Sequence, residues 1–196
     1  MLVGTLLIMG LYHLILYIYR RTERSSFWFG IVCLSMTIRL FVTGERLLIG
    51  LFPEVAWIFY LRLEYISLYV AVWTMGLFFK SLYPTEIPRR FTQFYTGITL
   101  FCTLLMLVLP AQFFTFIITP YEILMLAFGF FLTFFLIRAI LNRRSRARLI
   151  VFGGFFIVAA TINDILFHQF RIGIGYMASV GVFHFIYVQA VGKLKT

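Results

Sequence analysis

The chain has 196 residues, 62% of them hydrophobic and only 12% charged, with a mean hydropathy of +0.99. A soluble domain of this size is nearer half apolar and a quarter charged, so the composition excludes a soluble domain and implies an integral membrane protein. The net charge of +10 would point to nucleic acid in a soluble chain; in a membrane protein excess Lys and Arg first report orientation, and no nucleic-acid partner is expected.

A helical span needs about 20 mainly apolar residues. The first covers residues 1–19 and ends abruptly at Arg20-Arg21-Thr22-Glu23-Arg24. A secretory signal carries its positive charge before the apolar run, so this segment reads as a retained helix. The second covers residues 26–49, and Phe52-Pro53-Glu54 forms a turn, with Pro53 suited to the start of the next helix. The third covers 55–82, followed by a polar loop with two prolines, Pro84 and Pro88. The fourth covers 91–109 and stops at Pro110; the apolar stretch 111–120 either lies in the membrane interface or begins the next helix early. The fifth, sixth and seventh cover 121–141, 149–170 and 176–191. The expected fold is therefore all-α: one seven-transmembrane helix bundle filling residues 1–196.

With seven spans the two termini face opposite sides. Thirteen of the 17 basic residues, with Glu23 and Glu86, fall on one side; Arg39, Arg46, Arg62 and Arg171 fall on the other with five carboxylates. All loops are short, where the positive-inside rule holds best. The expectation is an N-terminus outside, a C-terminus in the cytoplasm and a multi-pass membrane protein. The run 143–148 reads as an orientation signal and a contact for anionic membrane lipids.

Charge inside lipid is expensive, so such residues pair, line a cavity or act. Residues 39–69 hold Arg39, Glu45, Arg46, Pro53, Glu54, Arg62 and Glu64 in otherwise apolar surroundings. At 1.5 Å of rise per residue, Arg39 sits roughly 20 Å into a core of about 30 Å. Arg62, Glu64, Asn163 and Asp164 fall near the outer ends of their helices by the same reckoning. Arg39 and Arg46 share one face of the second helix, and Asp164 and His168 share one face of the sixth. Arg39, Glu45, Arg46, Arg62, Glu64, Asn163, Asp164 and His168 thus form an expected outer polar cluster, either an ion-pair clamp or a pocket for a ligand or ectodomain. His13 and His184 lie at similar depth in the inner half and admit a haem or quinone site, or simple buried histidines. Cys33 and Cys102 fall in apolar segments and read as small hydrophobes. No nucleotide, zinc-hydrolase or serine-hydrolase motif occurs, so no catalytic residue, metal or cofactor is assigned.

Four blocks carry a family resemblance: G-L-Y-H-L-I-L-Y at 10–17, T-G-E-R-L-L at 43–48, L-R-L-E-Y-I-S at 61–67 and I-N-D-I-L at 162–166. The chain resembles the bacterial seven-transmembrane receptors with diverse intracellular signalling modules, in order and over its whole length. The resemblance implies a sensory transducer with a periplasmic sensing domain before the first helix. It also implies an output domain of cyclase, kinase or phosphatase type after the last. Neither domain falls within these 196 residues, so catalysis is expected to reside in a fused or partner domain. Homodimerisation is implied because such outputs work as dimers. A small transporter or redox protein, and a structural subunit, are the alternative readings.

Overall fold

A computed structural model describes residues 2–43, 50, 52–143, 147–170, 172–173 and 175–194. Among them are seven α-helices and no strand: α1 (Leu2–Tyr19), α2 (Arg24–Thr43), α3 (Trp57–Leu82), α4 (Arg89–Val108), α5 (Ala111–Leu141), α6 (Ala147–Phe170) and α7 (Ala178–Leu194). The first six are each long and apolar enough to cross a membrane, and α7 carries a shorter apolar stretch over Ala178–Val188. Only a helix or a closed barrel satisfies its own backbone in hydrocarbon, which is why an apolar chain of this kind is all helix.

The stretch 111–120 is helical and begins α5 early. The helix then runs 31 residues, about 46 Å, with Pro120 inside it. Pro120 has no N–H to give to the carbonyl one turn earlier. The chain divides into two compact units one residue beyond that proline, between Tyr121 and Glu122.

The first unit comprises Met1–Pro84 and Pro88–Tyr121. Helices do not gain by burying apolar surface from lipid, so close packing and polar contacts must associate them. α1 meets α2 at two glycines. A Cβ on Gly30 would stand 3.1 Å from the Gly10 carbonyl oxygen and 2.9 Å from Leu14, and one on Gly10 would stand 3.3 Å from the Gly30 carbonyl. α2 lies on α3 through Phe29 and Phe78, whose rings are 5.0 Å apart, with Val32, Cys33 and Met36 buried alongside. α3 meets α4 where the Tyr95 hydroxyl donates to the Val72 carbonyl and Trp73 Nε1 donates to Thr96 at 3.1 Å. The buried Tyr121 ring lies 4.1 Å from that of Tyr69.

The second unit comprises Glu122–Thr196 together with Thr85–Ile87 from the α3–α4 loop. Its α6 and α7 form a hairpin, with Phe185 packed on Gly153 and Ala160 packed on Gly181. Large apolar side chains stay exposed in both units, among them Ile8, Ile15 and Ile18 on α1, Phe101 and Leu104 on α4, and Phe130 and Phe134 on α5. In a membrane protein these are the lipid-facing surface.

The glycine contact gives a direct test of the α1–α2 seam. Gly30→Ala should lower the melting temperature in lipid nanodiscs, the overpacking costing about 1–3 kcal/mol. Gly97→Ala on α4 has open space around the new methyl. It should be neutral or stabilising, by up to about 1 kcal/mol from improved helix propensity.

Candidate functional site

The ionisable residues picked out in the sequence are placed individually by the structure. Glu45 and Arg46 lie outside the described residues. In the first unit Arg39 is 7% exposed on α2, and its Nη1 donates to the main-chain carbonyl of Glu64 on α3 at 3.4 Å. Ser67 donates to the same carbonyl at 2.8 Å. So Arg39 and Glu64 are brought together, through the backbone oxygen of Glu64.

Arg62, also on α3, donates from Nη2 to the carbonyl of Leu109 at 3.2 Å. Leu109 is the C-terminal cap residue of α4, and Pro110 follows it. The last four carbonyls of a helix lack intrahelical donors, and the proline supplies none. A guanidinium at that end meets the negative pole of the helix dipole as well as an open carbonyl. Arg62 therefore closes α4 from a neighbouring helix.

In the second unit Asp164 performs the converse task. It is 9% exposed on α6. Its carboxylate accepts from the amide of Met177, and from the amide of Ala178 at 3.1 Å. These amides stand at the start of α7, where N–H groups have no helical partner and the dipole is positive. A helix usually caps itself with Ser, Thr, Asp or Asn immediately before its first turn. Position 177 is a methionine, so the cap comes from α6.

Asn163 extends the grip. Its Nδ2 donates to the Gly175 carbonyl at 2.7 Å. Gly173 has φ +132°, and a Cβ there would lie 2.7 Å from Asn163 Oδ1. The connection between α6 and α7 is thus shaped around the Asn163-Asp164 pair.

His168 and its neighbour Gln169 lie one turn further along α6. Gln169 donates to Glu122 Oε2 at 2.7 Å, and His168 Nδ1 lies 3.0 Å from Glu122 Oε1. The imidazole contact is close but is not aligned as a hydrogen bond. Glu122 is 5% exposed, and a carboxylate buried to that degree needs such partners.

A second fastening of this unit was not anticipated. Glu86, 7% exposed, accepts from Asn142 Nδ2 at 2.9 Å and lies 4.0 Å from Arg138 Nε. Along α5, Glu122 and Asn142 are 20 residues apart, about 30 Å, which is the thickness of a bilayer's hydrocarbon core. Glu122, Gln169 and Glu86 could have been flagged as lone polar groups in or beside apolar runs. Their partners left no pattern in the sequence, because each contact joins distant segments.

His13 and His184 pack on aromatic rings of their own units. His13 is edge-on to Phe29 at 4.9 Å, and His184 lies 4.0 Å from Phe156. Among the described residues no three His, Cys, Asp or Glu side chains cluster as metal ligands do.

Seven apolar helices with intramembrane charges fastening helix ends define a multi-pass membrane protein. The family described as 7TM diverse intracellular signalling matches residues 1–192, and the chain belongs to it. It is a transmembrane sensory module linked to intracellular signalling, of the class the sequence blocks indicated. No curated protein and no solved structure matches the chain.

Replacing the α7 cap should be costly in proportion to what is lost. Asp164→Ala removes both acceptors, and a drop in stability of about 1–2 kcal/mol is expected by thermal melting in nanodiscs. Asp164→Asn keeps one acceptor oxygen and should lose clearly less.

Proposed function

We propose that this chain is the membrane module of a bacterial inner-membrane receptor. The start of α1 faces the periplasm and the far end of α7 faces the cytoplasm. A periplasmic ligand or sensing domain acts on the outer end of the bundle, and α7 passes the change to an output of cyclase, kinase or phosphatase type. The distribution of Lys and Arg over the short loops supports this orientation. The observation that carries the reading is the hold of Asp164 on the first amides of α7.

That hold makes the position of α7 depend on α6 at the end expected to face outside. An input can shift a two-state equilibrium only by the difference in its affinity for the two states. A helix cap offers such a difference, because its hydrogen bonds are either made or replaced. Asn163, Asp164, His168, Arg39, Arg62 and Glu64 are therefore assigned to the outer end as clamps that an input would loosen or tighten. Any catalysis belongs to a fused or partner output domain, and the module works as a homodimer where that output requires one.

Orientation is tested with single cysteines in a chain freed of Cys33 and Cys102. Glu54→Cys should react with a membrane-impermeant thiol reagent from outside intact cells, and Arg90→Cys only after the membrane is opened. The reverse pattern would overturn the proposed topology. The transduction reading is tested in the natural protein with its own output. Asp164→Asn, shown to be inserted and folded, should change the basal output or its response several-fold. An output identical to wild type would contradict it.

A further inference from the structure

The turn between α5 and α6 carries a feature that orientation alone does not require. Arg143 has φ +52°. This left-handed position follows the last turn of a helix, where glycine is the usual occupant because it has no Cβ to crowd. Asn, the next most tolerant residue, stands one place earlier and commits its side-chain amide to Glu86. A cationic side chain is thus kept at a position where glycine would be easier.

Two further observations give the cation a partner. Arg138 lies four residues before Asn142, with its side chain 63% exposed, and Glu86 sits 4.0 Å from its Nε. Glu86 is itself buried and bonded to Asn142, so it braces the guanidinium of Arg138 from the protein side. Phe134, Ile137 and Leu141 are exposed on α5 by 55%, 46% and 75%. With Arg138 they follow the i, i+3, i+4, i+7 spacing of one helix face. A single exposed face of α5 therefore carries Phe134, Ile137, Arg138 and Leu141, and Arg143 follows at the turn.

We infer that this face is a seat for an anionic phospholipid. Its acyl chains lie along Phe134, Ile137 and Leu141, and Arg138 and Arg143 receive its headgroup phosphate. A guanidinium matches a phosphate with paired N–H donors, which an ammonium does not. The apolar side chains that flank Arg138 on this face select a lipid over a soluble phosphate, because a soluble anion would gain nothing from them. The sequence pointed to the run 143–148 for lipid contact. The structure adds Arg138, the Glu86 brace and the apolar track.

The test uses the full chain in nanodiscs of phosphatidylcholine, with and without phosphatidylglycerol, reading retained lipid and melting temperature. Wild type should enrich phosphatidylglycerol over phosphatidylcholine and melt higher when it is present. Arg143→Gln and Arg138→Gln should each weaken that preference about fivefold, and added salt should erode it. Arg143→Gly separates charge from fold: it should melt at or above wild type in pure phosphatidylcholine and lose most of the gain from phosphatidylglycerol. Equal retention of the two lipids by wild type, or Arg143 variants with an unchanged preference, would overturn the inference. So would full displacement of the lipid by soluble glycerol phosphate, which would mark a phosphate site with no role for the apolar track.

Discussion

An ionised group inside hydrocarbon must find a polar partner, and in a helical membrane protein the main-chain groups most open to it are at helix ends. Within each helix the amides are already paired and a carbonyl has only a second lone pair left, as Glu64 offers Arg39; the terminal turns have whole groups to spare. Arg62 and Asp164 both use this. Arg62 donates to the carbonyl of Leu109, the cap residue of α4, and Asp164 accepts from the first amides of α7. In each case the sign of the charge suits the pole of the helix it meets. Arg62 and Asp164 are therefore fasteners between one helix and the end of another, and Arg39 joins α2 to a carbonyl within α3.

This arrangement supplies what lipid does not. Burying leucine against leucine gains little when the alternative is a lipid tail, so neighbouring helices need specific contacts. The first unit has the Gly10–Gly30 approach and the Tyr95 and Trp73 hydrogen bonds. The second has polar fastenings separated along α5 by about the thickness of the bilayer core: Glu122 with His168 and Gln169 at one end, and Glu86 with Asn142 at the other. Between them the helices expose phenylalanines that only a membrane would tolerate. Such a unit is tied near its ends and apolar along its length.

The membrane fold was legible in the sequence because it rests on one strong signal, long apolar runs broken by short polar loops. The early start of α5 was left open, since an apolar stretch bounded by Pro110 and Pro120 fits either an interfacial segment or a helix that tolerates a proline. Buried charge was also legible: Arg39 and Asp164 stand out in any hydropathy reading, and both are buried. Their main-chain partners were not. Depth and helical phase suggested carboxylates for the arginines. The described bonds of Arg39 and Arg62 run to carbonyl oxygens, which are present at every residue and so leave no trace in composition. The α7 cap was hidden for a related reason. Capping residues are sought immediately before a helix, and here the cap lies 13 residues earlier, on another helix.

The central claim is that Asp164 holds the start of α7 through its main-chain amides, and residue-resolved amide hydrogen exchange in lipid nanodiscs tests it most directly. The amides of Met177 and Ala178 should be protected in the wild-type chain. They should lose that protection in Asp164→Ala, while the amides in the middle of α6 keep theirs. Unchanged protection at Met177 and Ala178 in the variant would contradict the account.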